Sequence, residues 1–130
     1  MAADPYGDGA IAKDLNEAMK LATPLFADPA KLRARAHAAL NTLATHPQID
    51  SNSLASIGYR MGGTISLELA RDGAALRGIV SFHSGLQTQR PAAAGQVKAK
   101  ILVCTGNDDS FVPAERIKSL IEEMTKAGAD

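Results

Sequence analysis

Three short apolar runs constrain this chain more than any other feature. Leu54 to Gly58, Leu76 to Phe82 and Ala99 to Thr105 fall between stretches of helical period. Runs of that length suit buried strands of a parallel sheet, and parallel strands need crossover connections, usually helical. Met61 to Asp72 reads as one such helix, ended by Gly73, and Pro113 opens a last helix through Lys126, stopped by Gly128. Upstream, Ile11, Leu15, Ala18 and Met19 mark a helix over Ile11 to Leu21, with Thr23-Pro24 as punctuation. Asp28 is a good N-cap with Pro29 at the first helical position. The helix it opens should run to about Thr45, with Leu32, Ala36, Ala39, Leu40 and Leu43 inward and Lys31, Arg33 and Arg35 outward. The expected architecture is α/β, a short parallel sheet of about three strands flanked by helices, in a single domain over residues 1–130.

Composition narrows the function classes. A formal net charge of +0 argues against nucleic acid as a partner. The apolar share is 45%, yet aromatics are only 4% and Trp is absent, so small side chains should build closely packed helices of modest stability. The lone cysteine, Cys104, excludes an internal disulfide and suits a reducing compartment. No apolar run approaches the ~20 residues of a membrane span, and Met1-Ala2-Ala3-Asp4-Pro5 has no signal-peptide pattern. These observations point to a cytoplasmic protein without a membrane partner.

Ile57-Gly58-Tyr59-Arg60-Met61-Gly62-Gly63 follows a strand and opens a helix. In a nucleophile elbow, small residues two positions either side of the apex let strand and helix pass closely, and the next backbone N–H helps form an oxyanion hole. Gly58 and Gly62 take those flanks here, and the apex is Arg60. An ordinary βα turn can show the same spacing.

Adding the flanking segments makes the pattern specific. Asp4-Pro5-Tyr6-Gly7 resembles the Asp-Leu-Tyr-Gly segment of dienelactone hydrolases, and Ile57 to Gly63 resembles their Ile-Gly-Tyr-Cys-Phe-Gly-Gly elbow. Val80-Ser81-Phe82-His83-Ser84-Gly85 is similar to their Ser-Phe-His-Gly-Gly run, and Gly106 to Pro113 to the loop bearing their catalytic Asp. The resemblance spans nearly the whole chain in order. It implies an α/β-hydrolase fold and hydrolysis of an ester or lactone by a Cys-His-Asp triad, without metal or cofactor. Carried over by position, Asp109 falls at the triad acid, with Asp108 as the neighbouring alternative. Met61 falls at the oxyanion-hole N–H and Arg60 at the nucleophile. Tyr59 and Phe111 flank these positions as substrate-contacting candidates.

Two departures matter. Arginine has no free acceptor lone pair and stays protonated, so it cannot form an acyl-enzyme. The resemblance also places the family's catalytic His after an eighth strand, beyond Ala129-Asp130, and makes Met1-Ala2-Ala3 the tail of a fourth. Of the histidines present, His37 and His46 read as surface residues of a helix. His83 lies at the end of the middle strand, between those leading to Arg60 and Asp109, with ~4.8 Å between neighbours. It reads either as a packing residue or as a rescue base. Ser84 should point to the opposite face, and Cys104 should be a buried small hydrophobe. Arg60 reads as the partner of Asp109 in an ion pair, or as an anion site at a helix N-terminus.

Against the family topology this is a central piece, truncated at both ends, with Leu54–Gly58 as an open edge. Open apolar edges template pairing, so a homodimer or higher oligomer is expected. Three functions follow: a family hydrolase with weak or no activity, an esterase with a rearranged site completed in an oligomer, or a non-catalytic module binding anions or proteins. The small-molecule partner would be an ester, a lactone or an anion.

Overall fold

The computed structural model describes residues 1–129. In order it holds α1 (Leu15–Ala27), α2 (Pro29–Ala44), β1 (Ala55–Tyr59), α3 (Met61–Arg71), β2 (Gly78–Phe82), β3 (Lys100–Cys104) and α4 (Ala114–Lys126). The chain divides into two units, Met1–Ile49 and Asp50–Asp130.

In the first unit, α1 begins and ends later than its apolar period predicts. Asp14 caps it by accepting the Glu17 N–H at 2.8 Å, and Glu17 accepts the Lys13 N–H in return at 2.8 Å. Ile11 is left outside and exposed. Pro24 lies inside the helix rather than ending it. It removes one rung, from the Lys20 carbonyl. The Thr23 hydroxyl donates to the neighbouring Met19 carbonyl at 2.7 Å, and Ala22 and Leu25 stay buried across the lesion. Asp28 and Pro29 start α2 as expected, with the Lys31 N–H on the Asp28 carboxylate at 3.0 Å.

The outward reading of Arg33 and Arg35 is wrong. Arg33 is buried and Arg35 half-buried; a guanidinium carries five donors, and that of Arg35 spends them on backbone carbonyls. Arg35 donates to the Pro5 carbonyl at 2.6 Å and to that of Tyr6. Those carbonyls belong to a turn closed by Asp4, whose carboxylate accepts from Tyr6, Gly7 and Gly9. These bonds, that from Gly7 foremost, hold the Asp4 carboxyl below its usual range. His37 is half-buried rather than on the surface, whereas His46 is exposed.

In the second unit the strands are parallel in the order β1-β2-β3. Gly58, Ser81 and Val103 are in register, as are Tyr59, Phe82 and Cys104. Helix α3 packs on β1 and β2. Its Ser66 hydroxyl meets that of Ser56 at 2.7 Å, which places the helix on the Ser56–Gly58–Ser81 face. On the alternate residues, Ile57 and Tyr59 are 64% and 67% exposed. The buried character expected of the first strand therefore fails for β1, which has a strand neighbour on one side only. Gly73, at φ +75°, ends α3 by letting the Ala74 N–H reach the Leu69 carbonyl at 3.0 Å.

Helix α4 is tied in by a buried charge cluster. Arg71 is fully buried and grips Glu123 through Nε and a terminal nitrogen, both at 2.9 Å. It also bonds Glu68 at 3.0 Å and the Leu86 carbonyl at 2.6 Å. Glu123 further accepts the Ala92 N–H at 3.0 Å, fixing the loop after β2. No helix among the described residues is long and apolar enough to cross a membrane.

Candidate active site

The carboxyl ends of the three strands lie side by side and carry the candidate residues. Arg60 follows β1 with φ 50° and ψ −118°, a left-handed conformation that costs a side-chain-bearing residue about 1–3 kcal/mol. Neighbouring bonds hold it there. Its N–H continues the sheet ladder to the Phe82 carbonyl at 2.9 Å, and its carbonyl accepts the Thr64 N–H at 3.1 Å as the first bond of α3.

The turn is possible because two glycines let helix and strand touch. A Cβ on Gly58 would collide with the Gly62 carbonyl and the Gly63 nitrogen. A Cβ on Gly63 would collide with the Ser84 hydroxyl and lie 2.6 Å from that of Ser81. Gly62, the flank that the elbow spacing singles out, has nothing within 4 Å of a Cβ. The close approach therefore needs Gly58 and Gly63. The Gly-Gly doublet was the signal available in the sequence. Met61 is the first helical residue, so its N–H has no intrahelical acceptor and is free to meet an oxyanion.

His83 follows β2 and is also left-handed, with φ 49°. Its N–H extends the second ladder to the Cys104 carbonyl at 2.9 Å. Its Nδ1 contacts Asp109 Oδ2. The two side chains differ sharply in access: His83 is 42% exposed and Asp109 only 3%.

Asp109 sits in the loop after β3. Its Oδ1 accepts the Phe111 N–H at 2.9 Å, and the Thr105 hydroxyl lies 3.5 Å from Oδ2. Burial pushes the Asp109 carboxyl up, but the Phe111 N–H, His83 and Thr105 together pull it below the usual carboxylate range. Asp108, the alternative acid, is exposed and bonds only its neighbour Asn107. Thr105 escaped sequence reasoning, although a hydroxyl four residues before an acid in one loop was visible.

The structure thus brings together His83 and Asp109 rather than Arg60 and Asp109. The expected Arg60–Asp109 ion pair is not formed. Strand β2 separates β1 from β3, so the β2 end meets Asp109 first. Arg60 is exposed, and no acidic group among the described residues pairs with it. Tyr59 stacks on Phe82 with ring centroids 4.9 Å apart, and Phe111 is exposed beside Asp109. Ser84 is buried and donates to the Phe82 carbonyl at 2.9 Å, which leaves it no nucleophilic role. Cys104 is half-buried, not the buried core residue expected, because it closes β3 at the sheet's open end. No group of three or more His, Cys, Asp or Glu among the described residues is placed to hold a metal ion.

The chain is similar to known proteins. The Caenorhabditis elegans protein K02A2.1 is 33% identical over 104 residues, covering 77% of this chain and 65% of its own length. The solved structure of m3DLH is 42% identical, with a TM-score of 0.90 over 99% of this chain. That of P91, a dienelactone hydrolase-like promiscuous phosphotriesterase from metagenomic libraries, is 38% identical with a TM-score of 0.89. The chain spans 54% of each of those two structures. The match to the dienelactone hydrolase family extends over residues 1–130, and the chain belongs to that family.

Proposed function

We propose that this chain is a dienelactone-hydrolase-type scaffold for small esters or lactones in which the covalent route is closed. Turnover by the family's acyl-enzyme mechanism is then weak or nil. The observation that carries this reading is Arg60 at the elbow apex. Every other part of the elbow is in place: the left-handed apex, the two close-approach glycines and the free Met61 N–H. The apex alone lacks a nucleophile, since a guanidinium offers no lone pair at any accessible pH.

The test is pre-steady-state hydrolysis of 4-nitrophenyl acetate by the full chain beside Arg60→Cys. Wild type should show no burst and no added acyl mass. The variant should release about one equivalent of nitrophenol in a burst and carry the acyl group at position 60. A stoichiometric acyl adduct on the wild-type chain sinks the reading.

A second reading, anion binding without catalysis, is favoured by the unpaired guanidinium of Arg60 at the start of α3. Inorganic phosphate should then raise the melting temperature of wild type and not of Arg60→Ala. We further propose a cytoplasmic setting, on the single half-buried thiol, and a homo-oligomer formed through β1, on its exposed Ile57 and Tyr59. Light scattering should give at least a dimer mass for wild type and a monomer for Ile57→Lys. A wild-type monomer at high concentration would remove the oligomer.

A further inference from the structure

We propose that His83, positioned by Asp109, is a general base that drives direct attack of water on small activated esters or lactones. This rests on the reading that Arg60 closes the covalent route, and it assigns the same site a second, nucleophile-free mechanism.

Three observations carry it. The first is tautomer control. Nδ1 of His83 is engaged by a carboxylate, so the neutral ring places its proton on Nδ1 and presents a lone pair at Nε2. No described residue bonds Nε2, and the ring is 42% exposed, so water reaches it.

The second is rigidity behind the ring. Asp109 is almost fully buried and held through one oxygen by the Phe111 N–H, with the Thr105 hydroxyl close to the other. A carboxylate fixed in this way holds the imidazole at one angle and stabilises the cation that forms when the ring takes a proton.

The third is placement. Arg60 and His83 are both left-handed, and each donates its N–H to the last carbonyl of the neighbouring strand. Those two bonds fix the backbone of His83 and of Arg60, and with it the Met61 N–H, on adjacent strand ends about 5 Å apart from strand to strand. Left-handed side-chain-bearing residues persist where the surroundings determine them, and they cluster at functional sites.

The step balances without a co-reactant. Nε2 takes a proton from water as its oxygen bonds to the carbonyl carbon. The carbonyl electron pair moves onto oxygen, which faces the Met61 N–H and the Arg60 guanidinium. Collapse of that intermediate breaks the bond to the leaving oxygen, which takes the proton back from the His83 ring. A carboxylic acid and an alcohol leave, or a single hydroxy acid from a lactone. Ser84 takes no part, since its hydroxyl is committed to the Phe82 carbonyl.

The experiment is steady-state hydrolysis of 4-nitrophenyl acetate by the full chain, with circular dichroism melts as the folding control. Wild type should turn over above buffer, linearly from the first turnover. His83→Gln should lose about 10²-fold in kcat, the lower end of general-base contributions. Asp109→Asn should lose at least about tenfold in kcat with KM within about twofold, the split expected of a group acting through the base. Added imidazole should restore turnover to a folded His83→Gly beyond its effect on buffer. Cys104→Ala should retain the wild-type rate.

Equal rates for wild type and a folded His83→Gln would overturn the proposal, as would wild-type turnover no faster than buffer. A burst in wild type would instead overturn the closed covalent route. The two failures are therefore read separately.

Discussion

Adjacent glycines in the elbow should respond to the same substitution with opposite signs. Gly63→Ala places a methyl in collision with the Ser84 hydroxyl, 2.6 Å from the Ser81 hydroxyl and 2.9 Å from the Gly58 carbonyl. Ser81 is fully buried and Ser84 nearly so, so neither can swing into solvent. Overpacking of this kind costs about 1–3 kcal/mol, against a helix-propensity gain of at most about 1 kcal/mol. With the full propensity gain set against it, the net should be a loss of up to about 2 kcal/mol. Gly62→Ala keeps the propensity gain and meets nothing within 4 Å. It should be neutral or stabilising by up to about 1 kcal/mol. Urea denaturation followed by circular dichroism separates the two variants by midpoint, with slopes unchanged if both remain two-state. The melting temperatures should differ by several degrees. Equal destabilisation by the two substitutions would refute the close-approach argument and leave the turn without its steric basis.

Other perturbations test the rest of the fold. Arg71→Ala removes the cation shared by the buried Glu68 and the half-buried Glu123, and should cost about 3 kcal/mol in a urea titration, the low end for breaking a buried pair. A loss under about 1 kcal/mol would mean that the cluster is solvated. Arg60→Gly relieves a left-handed backbone worth about 1–3 kcal/mol and returns about 0.5–1 kcal/mol of unfolded-state entropy. The variant should therefore melt higher than wild type, and a lower melt would mean that the Arg60 side chain contributes contacts of its own. Asp109 has a folded pKa below its ordinary 3.8, so its contribution is complete above 3.8 and is lost as pH falls through the lower folded value. The stability gap between wild type and Asp109→Asn should narrow as pH falls below 3.8, and a gap unchanged throughout the acid range would contradict that sign.

What the sequence made legible was local or periodic. The alternation of apolar runs and helical stretches carried the three strands and their parallel sense, and Asp28-Pro29 located the start of α2 to the residue. What it hid involved partners distant in the chain. Arg71 and Glu123 are 52 positions apart and no spacing rule links them. Pro24 misled because Thr23-Pro24 reads as a stop, whereas the helix loses one rung and keeps Leu25 buried beyond it. Arg35 misled because a charged side chain on a helix reads as a solvated face until a turn elsewhere offers it carbonyls.

The candidate site shows where the same limit falls on function. Sequence placed Arg60, His83 and Asp109 at three strand ends but could not say which two would pair. Charge alone favours Arg60 with Asp109, a guanidinium with a carboxylate. Strand order decides otherwise. With β2 in the middle, β1 and β3 lie about 10 Å apart, twice the single spacing, and the acid reaches the histidine across one step. The cation two strands away is left facing solvent at the apex of a turn strained to present whatever side chain occupies it. An acid that had paired with Arg60 would have neutralised both groups and left His83 unoriented. Because it pairs with His83, the site keeps an oriented base and an uncommitted cation. Those are the elements that hydrolysis by water requires once a covalent nucleophile is gone.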